Sequence, residues 1–296
     1  EAHPLNDTTF AHLSHEITDL KLAIDGSAEG TGLTKAAWAS LPPKLTSLVV
    51  TSWPFEMTGQ EAVHGISKEL VTLRLPDLTP TDDLSWMGEL PSTLLDLRLW
   101  AKQAPAAPDG GAETMCKVEP VFSLLPPNLT RLEMNFDRKF GANVSAKLPR
   151  SLTDLRVHCC TLEEEDAADF PSGLKRFSFY SNYEFVYIPL KWMPPGLEEF
   201  ECLGDCDWEG DEMKWPPNLR SFTASSSNFC DDFIGSFPKS LKRFHMPRDG
   251  DASQQNGEYF AVLPRQLTSL HWYFDESMEC EPEHAQALPR FLVSLK

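Results

Sequence analysis

The residues best suited to binding are arginines and aromatic side chains that recur at fixed places after a repeated leucine. Guanidinium groups beside exposed aromatic rings are typical of the residues that dominate binding at protein interfaces. Exposed rings also form platforms for sugars and other small ligands, so carbohydrate or small-ligand binding is an alternative. The candidate binding residues are Arg98, Trp100, Arg131, Phe136, Arg156, His158, Arg176 and Tyr180.

A purely structural role is the competing interpretation of these charges. Acidic and basic residues alternate in sign at the same places, with Asp96 near Arg98 and Arg131 near Glu133. Such an arrangement predicts ion pairs between neighbouring strands, each contributing about 0.2–1 kcal/mol. On this interpretation the charges mainly keep a sheet solvated and in register.

Patterns for catalysis or metal binding are missing from the sequence. His245 and His271 occupy matching places, but no third ligand follows at the same spacing. The acidic runs at 163–166 and 205–212 lack the glycine-centred spacing of a calcium loop. No nucleophile elbow, zinc-protease motif or phosphate-binding loop is present. We therefore predict a protein that is not an enzyme and that uses no cofactor or metal.

One sequence motif, clearest at Leu148–Val157, occurs twelve times along the chain. The candidate residues lie within its copies, so the structure of the repeat determines where they are placed. Successive copies are 22 to 28 residues apart, except for one spacing of 35. Self-similarity at such a period predicts a solenoid in which each repeat buries its apolar face against its neighbours. The anchors of the twelve copies are Ser14, Pro42, Ser67, Pro91, Pro126, Pro149, Pro171, Pro194, Pro216, Pro238, Pro264 and Pro289.

The apolar spacing within each copy separates two faces of a short strand. If the first leucine after the anchor is position one, positions four and six face a core, and positions three, five and seven face the other way. All the candidate residues lie at these three positions except Phe136, which follows directly. Parallel strands stack about 4.8 Å apart, so twelve would line a concave surface roughly 50 Å long.

Position nine usually holds a small hydrogen-bonding residue, such as Asp25, Asp137 or Asn182. The pattern resembles the leucine-rich repeat, and its Leu-Pro opening resembles the repeats of bacterial effectors and the FNIP-type repeats of amoebae. The resemblance implies an α/β solenoid with a parallel sheet on its concave face and a protein-binding or scaffold role. The convex face is expected to carry short helices, at 81–88, 161–169 and 281–287, or irregular segments, as at 203–210.

The repeats predict a single solenoid domain over residues 1–296. Residues 1–12 would form an N-terminal cap segment, and insertions near 101–120 and 247–258 would lengthen two repeats. The C-terminal repeat is incomplete, so we expect the chain to be part of a longer protein or to have this end covered by a partner. End-to-end stacking into a multimer or filament is therefore an alternative function.

Composition narrows the classes of partner. The 26 Lys and Arg against 44 Asp and Glu give a net charge of −18, which disfavours nucleic acid and anionic membranes. No apolar run is long enough to span a bilayer. The sequence begins at Glu1 without a signal peptide, which indicates a processed or engineered start.

Cysteines and glycosylation sequons bear on the compartment. Free thiols in the repeat core are the favoured interpretation of the seven cysteines, and a disulfide that joins Cys202 to Cys206 or Cys230 is the alternative. Sequons at Asn6, Asn128 and Asn143 are candidate glycosylation sites. The sequons favour a secreted or cell-surface protein, and a cytoplasmic protein is the alternative.

Overall fold

The structure is a computed structural model. It describes residues 6–23, 34–52, 56–79, 84–101, 122–135, 144–158, 169–180, 186–187, 190, 193–204, 206–207, 214–225, 231–246, 259–272 and 286–295. The chain divides into two compact units, the first comprising Glu1–Arg138 with Lys147–Leu152 and the second comprising Lys139–Ala146 with Thr153–Lys296.

Parallel strands organise the first unit. They are β1 (Asp19–Leu22), β2 (Ser47–Val50), β3 (Met57–Thr58), β4 (Thr72–Thr79), β5 (Asp96–Ala101) and β6 (Arg131–Asn135). The order is β1-β2-β4-β5-β6, and β3 pairs with the end of β4. Short helices span Asp7–Ala11, Lys35–Ala39 and Gly59–His64, and 3-10 helices span Ser85–Glu89 and Phe122–Leu124. A further helix spans Val144–Lys147, where the two units divide.

The second unit repeats this plan. Its strands are β7 (Asp154–His158), β8 (Arg176–Tyr180), β9 (Val186–Tyr187), β10 (Glu199–Leu203), β11 (Cys206–Asp207), β12 (Ser221–Ser225), β13 (Arg243–Met246), β14 (Ser269–Trp272) and β15 (Ser294–Leu295). The order is β7-β8-β10-β12-β13-β14-β15, all parallel, while β9 and β11 pair separately. Helices span Asp231–Gly235 and Tyr259–Val262.

Twelve of these strands lie at the twelve predicted repeat positions, which confirms the parallel α/β repeat architecture. The expectation of an irregular segment at 203–210 is wrong at β11, because the backbone there pairs in parallel with β9 of the preceding repeat. The helix expected at 81–88 is a 3-10 helix shifted to Ser85–Glu89. The helices expected at 161–169 and 281–287, both insertions and nearly all of position nine lie almost entirely outside the described residues. That the twelve repeats form one domain stays a prediction.

Each strand is preceded by the same tight turn. At every anchor the backbone carbonyl accepts a hydrogen bond from the N–H three residues later, over 3.0–3.4 Å. Proline suits the anchor because it has no N–H to satisfy, has a fixed φ and disfavours helix at the residue before it. Ser14 and Ser67 make the same backbone bond, which explains why these two anchors tolerate the loss of proline.

The leucine that closes this turn is fully buried in every inner repeat. It has zero exposure in all ten inner repeats, at Leu45, Leu70, Leu94, Leu129, Leu152, Leu174, Leu197, Leu219, Leu241 and Leu267. In the second unit position four is aromatic on four successive strands, whose ring centroids are 5.7 Å apart from one strand to the next, at Phe177, Phe200, Phe222 and Phe244. Core burial therefore follows the predicted alternation.

Polar side chains join successive turns. In several repeats the side chain before position one donates to a backbone carbonyl of the preceding repeat, as Ser151 does to Leu129 at 2.6 Å and Ser240 does to Leu219 at 2.7 Å. Thr93 and Asn218 make equivalent bonds. These bonds satisfy carbonyls that the turn would otherwise leave without a protein partner.

Cys202 is fully buried on β10 and is disulfide-bonded. The favoured interpretation, a free thiol, is therefore wrong for this cysteine. Its predicted pairing with Cys206 or Cys230 stays a prediction, since the other cysteine side chains lie outside the described part of the chain.

Candidate binding face

Side chains at positions three, five and seven of the repeat strands form the outer face of each unit. Their neighbours at positions four and six are buried, as Leu97 and Leu99 are on β5. The strands pair in register, so equivalent outer positions of neighbouring repeats lie side by side. A charged residue on this face can therefore reach the strand before it and the strand after it.

In the first unit a buried carboxylate organises two arginines. Asp96 lies on β5, and its Oδ2 atom accepts from Nη2 of Arg74 on β4 at 2.9 Å and from Nη2 of Arg131 on β6 at 2.6 Å. Asp96 is only 6% exposed, whereas the two arginine side chains are 38% and 51% exposed. The buried carboxylate thus contacts two arginine side chains that are themselves partly exposed.

Trp100 lies on the same face as Asp96 and is held by two contacts. Its indole Nε1 donates to Oε1 of Glu133 at 3.3 Å. The guanidinium of Arg98 lies 4.7 Å from the centre of the Trp100 ring and also pairs with Glu133 at 3.0 Å. We name the set Arg74, Asp96, Arg98, Trp100, Arg131 and Glu133 the Asp96 cluster.

The second unit contains a similar arrangement around Asp154. Nε of Arg176 on β8 donates to Oδ2 of Asp154 at 2.9 Å, and Nε of Arg156 lies 3.6 Å from Oδ1. The hydrogen bond and the negative charge of Asp154 raise the pKa of Arg176 above its ordinary value. Asp154 is buried, so it too is an acid covered by two more exposed arginines.

An aromatic pair lies beside Asp154 on the same two strands. His158 and Tyr180 are cross-strand neighbours, with ring centroids 5.7 Å apart and planes inclined by 42°. Tyr180 is 36% exposed and therefore available for contact. Phe136, the remaining candidate residue, lies outside the described part of the chain.

No protein-family model matches this sequence, and no curated protein matches it. Among solved structures, the chain is similar to the crystal structure of CroV588, a circular leucine-rich-repeat protein, at 18% identity with a TM-score of 0.56. The alignment covers 96% of this chain and 43% of that one. The chain has a leucine-rich-repeat fold. It spans less than half the length of that structural neighbour, and the likeness concerns the fold alone.

Two further leucine-rich-repeat structures resemble it more loosely. LegL7 from Legionella pneumophila is 14% identical with a TM-score of 0.42, covering 95% of this chain and 91% of that one. An internalin, inlF, from Listeria monocytogenes is 13% identical with a TM-score of 0.46, covering 97% of this chain and 85% of that one.

The leucine-rich-repeat register brings the sequence-predicted residues together in two groups. Arg98, Trp100 and Arg131 are in the first unit, and Arg156, His158, Arg176 and Tyr180 are in the second. The predicted cross-strand ion pairs are confirmed at Asp96, Glu133 and Asp154. The candidate binding residues did not include these three acids or Arg74. The alternation of signs at position three is the signal that the acids orient the candidate arginines.

The two histidines singled out in the sequence are also neighbours. His245 and His271 stack with ring centroids 4.2 Å apart and planes 3° apart. Within the described ranges, no group of three or more His, Cys, Asp or Glu residues is placed to hold a metal ion. In the same part of the chain, no helix is long and apolar enough to cross a membrane.

Proposed function

We propose that this leucine-rich-repeat protein is a non-catalytic binding or scaffold module that engages a protein partner through its outer face. One observation carries the proposal: exposed arginines and the half-buried Trp100 ring on this face are fixed in place by buried or half-buried acids. Side chains ordered before binding lose less conformational entropy when a partner docks, so more of the contact energy becomes affinity.

The outer face is also where the repeats leave functional groups accessible. The inward positions are filled by apolar side chains with almost no exposure. The strands that carry the outer residues are paired on both sides throughout the inner repeats of each unit. Binding residues on such rigid elements keep their spacing, which suits recognition of an extended protein surface.

A non-catalytic role agrees with the partners of the acids. Asp96 and Asp154 each bind two arginines, and Glu133 binds Arg98 and Trp100. A general base would instead need to lie beside a nucleophile or a substrate proton. These carboxylates are therefore suited to positioning the basic side chains.

The test is capture of partners from the native source with wild-type protein and with an Arg156→Ala, Tyr180→Ala double variant. The proposal expects a partner bound by wild-type protein to be lost with the double variant. Arg220→Ala is the matched control, because Arg220 is an exposed arginine at position two, outside the outer face. A partner that binds all three proteins equally would refute a role for this face. Circular dichroism checks that each variant is folded.

Self-association is a second candidate function, favoured by the apolar residues of the last repeat. Phe291, Val293 and Leu295 are 68%, 88% and 50% exposed. Contact between this surface and a second copy would bury these side chains. Each Å² of apolar surface buried would stabilise the contact by about 25 cal/mol. Analytical ultracentrifugation over a wide range of concentration tests this. A constant monomer mass, or an assembly unaffected by Val293→Ser, counts against it.

A further inference from the structure

We propose that the Asp96 cluster binds a short acidic segment of the partner, through aspartate or glutamate carboxylates. The inference rests on the proposed function, because it names the chemistry of the partner that the outer face engages. It concerns the first unit alone, where strands β4, β5 and β6 place all six residues of the cluster on one face.

The cluster carries more positive than negative charge. Its three guanidinium groups, of Arg74, Arg98 and Arg131, face two carboxylates, so the difference is one positive charge. Arg74 and Arg98 are direct cross-strand neighbours, a like-charge pairing that is unfavourable by itself. An added carboxylate would relieve this repulsion. The positive charge of the cluster contrasts with that of the whole chain, which is −18.

The guanidinium groups have more hydrogen-bond donors than their contacts with Asp96 and Glu133 use. Each has five N–H bonds, of which Arg131 uses one nitrogen, Nη2, on Asp96. Among the described residues Arg131 makes no other side-chain bond, and half of its side chain is exposed. Asp96 therefore fixes the guanidinium from below and leaves its outer edge free. A carboxylate can accept two parallel N–H bonds from such an edge, a geometry stronger and more specific than a single contact.

The same charge balance indicates a short segment rather than a long polyanion. At physiological ionic strength charges are screened beyond about 8 Å, so a few carboxylates on the cluster respond mainly to its own arginines. A long phosphate backbone would extend past the cluster on a molecule that carries a charge of −18, where it would meet net repulsion. A nucleic acid is therefore a poorer fit than an acidic peptide.

The experiment is a selection from a library of displayed random decapeptides against the full chain. A triple variant, Arg74→Gln, Arg98→Gln and Arg131→Gln, serves for subtraction. We expect the selected peptides to be enriched in Asp and Glu at two or more positions. In fluorescence anisotropy a selected peptide should bind Arg131→Gln about tenfold more weakly than wild-type protein, the loss that a strong interface arginine typically gives.

Two controls separate geometry from charge. Arg243→Gln removes an outer-face arginine at the same repeat position, 56% exposed and paired with Glu199 at 3.0 Å, and should change affinity less than twofold. Arg131→Lys keeps the charge without the planar fork and should lose part of the affinity. Replacing Glu by Gln and Asp by Asn in the peptide should weaken binding at least as much as Arg131→Gln does.

The failures of the two proposals can be told apart. Neutral peptides that bind wild-type protein and are lost with Tyr180→Ala would overturn the acidic-segment inference and leave the outer face as a binding surface. Acidic peptides that bind Arg131→Gln and wild-type protein equally would also overturn it. A selection with no peptide above the triple-variant background overturns it too. If, in addition, native partners bind every outer-face variant as well as they bind wild-type protein, the proposed function fails as well.

Discussion

Replacing Asp96 with asparagine measures what the buried acid contributes to the fold. The carboxylate accepts hydrogen bonds from Arg74 at 2.9 Å and Arg131 at 2.6 Å, both on neighbouring strands. Hydrogen bonds to charged groups contribute about 1.5–3 kcal/mol each in general. The partial exposure of both arginines reduces this range, and asparagine retains one acceptor oxygen. We therefore expect Asp96→Asn to lower the free energy of unfolding by about 2 kcal/mol.

Two other aspartates at position three provide an internal scale. Asp154 accepts a hydrogen bond from Arg176 at 2.9 Å, while its second arginine lies 3.6 Å away, so Asp154→Asn should cost about 1 kcal/mol. Asp19 on β1 is exposed, and no arginine contacts it within the described part of the first unit. Its replacement should change stability by less than about 0.5 kcal/mol.

Urea unfolding followed by far-ultraviolet circular dichroism is the assay. Slopes of about 1–3 kcal/mol per M are usual for small proteins, so the Asp96 variant should shift its midpoint by roughly 1 M. Repeat proteins can unfold in more than one step, so each transition is compared with the corresponding wild-type transition. Equal effects at Asp19 and Asp96, or no measurable effect at Asp96, would refute the reasoning that burial and double pairing set the magnitude.

Three further outcomes follow from contacts elsewhere in the chain. Gly59→Ala should cost about 1–3 kcal/mol, because the new methyl group would overlap the buried Trp86 ring, whereas Gly235→Ala, with open space at its Cβ, should be nearly neutral; thermal melts compare them. Hydrogen bonds from Lys35 and Thr58 lower the pKa of Glu61. The stability that Glu61 adds is therefore present above its ordinary pKa of about 4.5 and is lost as pH falls through the lowered value. The urea midpoint difference between wild type and Glu61→Gln should shrink over that range, and a difference that does not change with pH would contradict this. Asn128 is exposed on its turn, so protein from the native source should lose mass on enzymatic deglycosylation, and less so after Asn128→Gln; an unchanged mass would argue against the secretory route.

The fold is predictable from the sequence because one physical constraint recurs twelve times. Each copy must bury the same apolar positions against its neighbours, so the leucine spacing determines both the strand and the face it buries. Leu152, Leu155 and Val157 show this directly, since all three are almost fully buried as the spacing requires. The register follows from the same spacing, because aligning the leucines of two repeats also aligns Asp96 with Arg131 on the next strand.

Other features depend on geometry that the apolar pattern does not contain. The turn-bridging role of Ser151 depends on the position of a carbonyl in the previous repeat. The pairing of β9 with β11 depends on the backbone positions of two segments between the repeat strands, which the leucine spacing does not define. In the candidate site, the sequence indicates which arginines share a face. It does not show that Asp96 contacts Arg74 rather than Arg98 on its own strand, since that choice depends on side-chain rotamers and on the twist between strands.

Asp96 also allows the structural and functional interpretations of the outer face to be separated. If the ion pairs serve only stability, Arg131→Gln should destabilise the chain less than Asp96→Asn, because it breaks one of the two arginine contacts of Asp96, and neither variant should affect a partner of the folded protein. If the acid positions an arginine for binding, Arg131→Gln must lower the affinity for the partner by more than its effect on stability explains. A buried acid beneath two exposed arginines occurs in each unit. Register alone could be set by more exposed pairs such as Arg243 with Glu199, so the burial of Asp96 and Asp154 favours a positioning role.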